Sequence, residues 1–403
     1  SPFQRGVAVL RRPAFLLMHY LVPFLWSLPW IIPPLVTWFR LRNSRSLDDE
    51  DQIPLASPPL VSVILPARDE AHNIARCVSS ILATTYPNLE LIVVDDGSTD
   101  GTAQIARDTI AGDSRARVIT CPPLPDGWFG KQWACATGAK AASGSVLQFT
   151  DADTVHSPDL VPRSMKAMRA RRAQLFSVAG RQELGGFWER VIQPQVFTIL
   201  SMRYGGTESV TEATSVKHKI ANGQCMFVTH DSYNAIGGHG SVRTSAAEDL
   251  MLAQKFFAAR KRVVLMLGVN QLSTRMYGSL REIVNGWRKN VFAAGLDTVP
   301  FGRLGRTMFP LFLLLPPLME LLPPLALLFA ALGLATTTTV ILWAVISCAV
   351  TLLWWVLVYA SVGENPLYAL AYPLGALMLL YIFFTAVIRG RRVSWKGRTY
   401  ISH

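Results

Sequence analysis

The chain has 403 residues, of which 50% are hydrophobic and 16% charged, with a mean hydropathy of +0.28. Soluble domains carry about 25% charged residues and disordered chains combine low hydrophobicity with high charge, so both an ordinary cytosolic globule and a disordered chain are excluded. A formal charge of +12 and a pI ≈ 9.7 suit phosphates, nucleic acid or an acidic membrane surface, and the length allows two or three domains.

From Ala14 to Phe39 the only acid, base or imidazole is His19. About 20 apolar residues cross a bilayer, so this stretch is a spanning segment. Pro23, Pro29, Pro33 and Pro34 predict a kinked or re-entrant one. It is too long for a signal-peptide core and lacks a small-residue cleavage site, so residues 1–45 read as a retained anchor. Ser1 implies processing or trimming. The acidic run Asp48–Asp51 reads as part of a solvated linker over residues 46–57.

Residues 58–277 differ in composition and read as an α/β domain. LVSVILPA (60–67) and LELIVVDDGS (89–98) are β-branched runs bounded by turn residues, as buried parallel strands are. Between them Ile74, Val78, Ile81 and Leu82 share one face of a helix. VLQFTDAD (146–153) is a third strand, ending in acids. Strand–helix–strand order predicts a doubly wound, Rossmann-like sheet with its ligand at the carboxyl ends of the strands. Cys77, Cys121, Cys135, Cys225 and Cys348 show no CxxC pairing and read as buried thiols.

Four groups in this domain can carry chemistry. Asp95 and Asp96 follow a buried strand, where carboxylates accept hydrogen bonds from a base or a ribose; an Asx turn capping the next helix is the plain structural alternative. In DGWFGKQWA, Gly127 and Gly130 permit close backbone approach and Lys131 offers a point charge to a diphosphate, although the Walker A spacing is absent. Asp151 and Asp153, two apart at a strand end, can aim at one hard cation such as Mg²⁺ or Mn²⁺. Glu248 and Asp249 open a helix, which acids favour electrostatically, and either can serve as a general base.

Residues 278–307 contain an amphipathic helix. Leu280, Ile283, Val284, Trp287, Val291 and Phe292 share a broad face beside Arg281, Arg288 and Lys289, as in a helix lying in a membrane interface. Gly186–Tyr204 has the same character; core packing is the alternative for each. Residues 308–388 hold three apolar stretches: Met308–Ala335, broken only by Glu320 between two Pro-Pro pairs, then Thr336–Val362 and Pro366–Ile388. Basic residues flanking the first and second stretches place the α/β domain in the cytoplasm, whereas three crossings would put the basic tail, residues 389–403, outside. A dip and return by Met308–Ala335 would resolve the conflict. Nucleic acid is set aside, since the basic residues flank apolar stretches and no recognised motif accompanies them.

In this order the motifs resemble a membrane-bound glycosyltransferase of family 2 with a GT-A nucleotide-sugar domain, over about Leu60 to Asn290. Pro66, Ala67, Arg68 and Glu70 with Asp95 and Asp96 resemble its nucleoside-binding strands, Asp151-Ala152-Asp153 its metal motif, and Glu248-Asp249 its ED pair. The GWxGKxxA stretch, Gly223-Gln224 and Gly237-Gly238-His239 are similar to the branch that glycosylates lipids, including ceramide glucosyltransferases, hopanoid-associated enzymes and carotenoid glycosyltransferases. The (Q/R)xxRW motif of ceramide and processive enzymes is incomplete, with Ile283 and Gly286 before Trp287; Arg275, Arg281 or Arg288 would have to supply the missing charge.

The resemblance implies an integral membrane protein of the inner or plasma membrane. It implies inverting, metal-dependent transfer from a nucleotide sugar, expected to be a UDP-sugar, to a lipid hydroxyl. Asp249 would be the base beside Glu248, and Asp153 with Asp151 would hold Mn²⁺ or Mg²⁺. Lys131 would meet the diphosphate, and Asp95, Asp96 and Glu70 the nucleoside. Gln224, His239, Trp287, Arg281 and Arg288 would face the acceptor or interface. A polyprenyl-phosphate glycosyltransferase, a processive polysaccharide synthase, and a transporter or receptor with a nucleotide-binding module remain as rivals.

Overall fold

The structure is a computed structural model and describes residues 2–50, 55–299, 301–334, 336–390, 392–395 and 398–401. Asp51, Pro300, Ala335, Arg391 and Lys396 lie outside these residues, as do the side chains of His19, Lys289 and Phe292. The chain forms two compact units, one of residues 1–41, 186–203 and 307–388, the other of residues 42–185, 204–306 and 389–403.

In chain order the elements are α1 (Pro2–Leu41), β1 (Val61–Ala67), α2 (Ile74–Leu82), β2 (Leu89–Asp95), α3 (Thr102–Thr109), β3 (Ala116–Thr120), α4 (Gly130–Ala141), β4 (Val146–Thr150), β5 (Thr154–His156), α5 (Leu160–Ala170), β6 (Leu175–Ala179) and β7 (Arg181–Gln182). There follow α6 (Phe187–Tyr204), α7 (Thr207–Thr211), β8 (Cys225–Thr229), α8 (His230–Ala235), α9 (Glu248–Ala258), β9 (Val263–Leu267), β10 (Leu272–Thr274) and α10 (Leu280–Thr298). Last come α11 (Gly302–Ala331), α12 (Thr338–Ser361), α13 (Tyr372–Arg389), β11 (Arg392–Trp395) and β12 (Arg398–Ile401).

The larger unit is built on a seven-stranded sheet in the order β3-β2-β1-β4-β8-β6-β9. The three strands expected from sequence are present as β1, β2 and β4, each buried along nearly its whole length because helices cover both faces. On α2, Ile74, Cys77, Val78 and Ile81 are buried at helical spacing. The sheet is mixed: β8 runs antiparallel to both β4 and β6, while the remaining pairs are parallel. Strand order reverses at β1, with β2 on one side and β4 on the other, so the crevice of an open α/β sheet lies at their carboxyl ends. A second sheet, β5-β10-β7, stands beside that edge.

The stretch expected as a solvated linker is docked where it begins. Leu47 is fully buried, and Asp48 accepts hydrogen bonds from Asn270 and Gln271. The basic tail also belongs to this unit, where β11 and β12 pair antiparallel.

The smaller unit gathers α1, α11, α12 and α13 with α6. Four of these helices are long and apolar enough to cross a membrane, with windows at Tyr20–Leu41, Gly302–Ala331, Thr338–Ser361 and Pro366–Arg389. The expected dip and return is absent. The α11 helix continues through Pro310, Pro316, Pro317, Pro323 and Pro324 for 30 residues, about 45 Å at 1.5 Å per residue. Likewise α1 is one continuous helix through its prolines. Side chains bond between helices here: Trp30 Nε1 donates to the Met319 carbonyl at 2.9 Å, and Ser347 bonds Ser27 at 3.2 Å. On α6, Arg190 pairs with Glu364 at 2.9 Å and Gln195 donates to the Tyr372 carbonyl at 2.9 Å.

Candidate active site

Segments at the carboxyl edge of the sheet converge on one narrow recess. Pro66 ends β1, Lys131 sits in the first turn of α4, Asp151 follows β4, Gly223 precedes β8, and Glu248 opens α9; with His239 they line it. Residues far apart in sequence meet here because each strand ends, and each following helix begins, on the same side of the sheet.

Lys131 is the cation at the centre. Its Nζ lies 2.7 Å from Asp151 Oδ1 and 2.7 Å from Glu248 Oε1. Burial alone would push the ammonium down, but Asp151 and Glu248 outweigh it and hold the lysine well above its ordinary range. Burial likewise pushes Glu248 up, yet the Lys131 charge prevails and keeps it ionised. Asp151 goes the other way, raised by burial and by Glu248 and Glu70 despite the lysine.

Asp249, next to Glu248, is gripped through both oxygens. Gly223 N–H donates to Oδ2 at 2.8 Å and the Leu250 N–H donates to Oδ1 at 2.7 Å. A Cβ at Gly223 would stand 3.0 Å from Oδ2, so glycine permits this approach. Burial and then the Glu248 charge push Asp249 up to about 6, against the pull of Lys131 and the two amides. A carboxylate with its affinity for protons raised into this range suits proton transfer near neutral pH.

Asp153 stands apart from the lysine. Burial, then Asp151 and Glu70, push it up to about 7. Its Oδ1 is buried with no hydrogen-bond partner among the described residues. A buried carboxylate oxygen left bare beside other carboxylates fits a hard cation. Among the described residues no three or more acids, histidines or cysteines form a ready cage. Mg²⁺-type sites commonly use one or two carboxylates and complete their shell with substrate phosphate.

A neighbouring cluster caps β1 and β2. The Asp96 N–H donates to the Ala67 carbonyl at 2.9 Å, and Arg68 donates to the Asp96 carbonyl. Asp95 and Asp96 are both buried; Asp95 Oδ1 accepts from Ser98 N–H at 3.3 Å. Glu70 accepts from Asn73 at 3.0 Å and acts electrostatically on Asp151 and Asp153.

His239 is buried in the glycine-rich turn that follows Gly237 and Gly238. Its backbone N–H donates to the Tyr233 hydroxyl at 3.0 Å, and that hydroxyl lies 2.8 Å from His239 Nδ1. The hydroxyl proton then serves Nδ1, which leaves the ring proton on Nε2. Burial pushes the ring down to about 3, so it is neutral. Gln224 is buried among amides, its Oε1 accepting from Gln182 at 3.1 Å and Asn222 at 3.2 Å, and the Gln182 Oε1 has no partner among the described residues.

The residues of α10 are not gathered into the recess. Arg281 is exposed and Arg288 bonds Asn285 on the same helix. Trp287 is buried edge-on to Tyr277. A Cβ at Gly286 would collide with the Tyr277 ring, so no arginine fits there without displacing it. Tyr277 is also close enough to Asp153 to feel its charge. Sequence reasoning missed Tyr277 and Tyr233 because neither belongs to a motif. It also missed Arg398, which carried no signal beyond its charge.

Residues 62–232 match the model of glycosyl transferase family 2. The chain is 26% identical over 246 residues to the 4,4'-diaponeurosporenoate glycosyltransferase of Staphylococcus haemolyticus (strain JCSC1435), covering 60% of this chain and 63% of that protein. It is 27% identical over 245 residues to the protein of the same name from Staphylococcus aureus (strain USA300), again covering 60% and 63%. The match thus spans less than two thirds of the length of these relatives. Among solved structures, a mannosyltransferase from Pyrobaculum calidifontis in complex with GDP-Man and Mn²⁺ superposes with a TM-score of 0.55 at 18% identity, covering 92% of this chain and 98% of that one. That likeness is one of fold, the mixed-sheet GT-A core.

Proposed function

Taking residues 62–232 as a glycosyltransferase family 2 domain on a GT-A core, we propose that the chain transfers a sugar from a nucleoside diphosphate sugar to a membrane lipid, with inversion at C1. The observation that carries this reading is the convergence of Lys131, Asp151 and Glu248 at 2.7 Å contacts beside a doubly amide-held Asp249. The acceptor oxygen attacks C1 from the face opposite the diphosphate. Its proton passes to the Asp249 carboxylate as the C1–O bond forms, and the bond from C1 to the diphosphate breaks with its electron pair on the leaving oxygen. The two backbone amides fix the Asp249 plane, so the base does not have to be oriented anew at each turnover.

Asp153 and Asp151 would hold a divalent cation, which supplies charge neutralisation to the diphosphate. Lys131 adds a fixed positive charge beside it. Asp95 and Asp96, with Arg68 and Glu70, would bind the nucleoside from the ends of β1 and β2. The neutral His239 can offer its Nε2–H in the recess. Gln182 and Gln224 supply amide groups for hydroxyls of sugar or acceptor. The apolar helices would keep the domain at a bilayer surface, on the cytoplasmic side where sugar nucleotides are made.

The staphylococcal relatives are named for a carotenoid carboxylate, which supports an apolar acceptor. It also favours a second reading, in which the attacking oxygen is already ionised and needs little base. One experiment addresses both. Purified protein in detergent is given each nucleotide sugar with Mn²⁺ or Mg²⁺ and the host lipid extract, and products are weighed by mass spectrometry. A hexose-sized gain on one lipid, lost in Asp249→Asn, supports hydroxyl transfer. The same gain retained in Asp249→Asn points to a carboxylate or phosphate acceptor. Absence of both turnover and nucleotide binding would sink the assignment.

A further inference from the structure

We infer that Arg398, in the strand pair after the last apolar helix, is a positioning residue of the donor site. The inference rests on the reading of Asp96 as a nucleoside-binding carboxylate. Its Nη1 lies 2.7 Å from Asp96 Oδ2, across 302 positions of sequence. Arg68 Nη1 approaches the same oxygen only to 3.6 Å and spends a hydrogen bond on the Asp96 carbonyl. The close, charge-assisted contact on this carboxylate therefore comes from the tail and not from the motif beside it.

The geometry assigns each oxygen a task. Both guanidiniums converge on Oδ2, while Oδ1 has no hydrogen-bond partner among the described residues. A side-chain carboxylate turns readily about its last torsion, and one anchored oxygen stops that rotation. With Oδ2 held, Oδ1 is left as a fixed acceptor, which would suit a base N–H or a ribose hydroxyl. Asp96 is 4% exposed, so its orientation is set by these protein partners rather than by water, and Arg68 still neutralises its charge when Arg398 is lost. Cys121, which follows β3, feels the charges of Asp96, Arg398 and Asp95 together, which places the guanidinium at the common carboxyl edge of the parallel strands. The pairing of Arg392–Trp395 with Arg398–Ile401 carries the arginine there, and β11 packs against α10. Donor binding would thus depend on a segment outside the family 2 match, which ends at residue 232.

The test uses the full chain in detergent. Binding of UDP and GDP with Mn²⁺ is measured by calorimetry for wild type, Arg398→Gln, Arg398→Lys and Asp96→Asn, with melting temperature followed in parallel. Arg398→Gln is expected to weaken nucleoside diphosphate binding about 10-fold and to raise the donor KM alike, leaving kcat and the melting temperature in place. Arg398→Lys should recover part of that loss. The double variant with Asp96→Asn should be no worse than Asp96→Asn alone, since the arginine acts only through the aspartate. Unchanged binding in Arg398→Gln, or tighter binding as for a removed plug, overturns the inference while the donor-site reading stands. If the wild type binds neither nucleotide, both fall together.

Discussion

The two units of this chain solve opposite packing problems. In the α/β unit Val61, Val63, Leu65, Leu91 and Val93 are fully buried, and the buried acids, Asp95, Asp96 and Glu248, gather at the site. In the helical unit many large apolar residues point outward, Leu311 57%, Leu367 70% and Ile388 71% exposed, while Ser27, Gln193, Gln195 and Ser347 are inside beside Trp355 and Phe383. The difference teaches what solvent each surface suits. Water expels apolar surface, so the first unit hides it. The second shows apolar surface of the kind lipid tails accept, on four helices long and apolar enough to cross a membrane, and polar side chains bond helix to helix. Chemistry follows the same division. The recess with Asp151, Glu248 and Lys131 belongs wholly to the α/β unit.

The comparison can be broken or sharpened by substitution. Asp249→Asn should lower transfer to a hydroxyl acceptor by about 10²–10⁴-fold with nucleoside diphosphate binding preserved. Steady-state rates and calorimetry would decide this, and lost binding would make Asp249 a structural residue of the water-facing unit. Next, Leu65→Ala in the sheet core should cost roughly 2–5 kcal/mol, whereas Leu367→Ala on the helical surface should cost about 0.5 kcal/mol or less, each read from denaturation in detergent. Equal costs would erase the inside-out distinction. Gly286→Arg, which completes the arginine of the missing motif, should cost about 1–3 kcal/mol by displacing Tyr277. An undisturbed melting curve would mean that the ring swings away freely. The mildest effect is that of pH. Asp249 is pushed up to about 6, and a base must be unprotonated to act, so kcat/KM should be flat above this value. It should fall about tenfold per pH unit below it. A profile flat through pH 5 would remove Asp249 as base.

Much of the site was legible before any fold was known. Acids at the ends of the β-branched runs, as at Asp95-Asp96 and Asp151-Ala152-Asp153, mark strand ends in an α/β sheet, and the structure has strands ending there. The pairing of Asp249 with Gly223 was not legible, because the contact spans 26 positions and depends on β8 running antiparallel. The burial of His239 escaped notice for a similar reason. Glycines around it suggest a loop, but Tyr233 and Phe149 close over the ring.

The amino-acid pattern by itself determined the class of each segment: apolar stretches long enough for a bilayer, alternating strands and helices, and the residue types at the strand ends. These are local properties, set by periodicity and by the cost of burying backbone or charge. Only the tertiary structure decided which charges meet. Lys131 is shared between Asp151 and Glu248, and Asp96 receives Arg398 from the tail. Such pairings depend on strand order and on the path of the tail. A sum of local preferences carries neither, because a carboxylate's partner is chosen by distance in space and not along the chain.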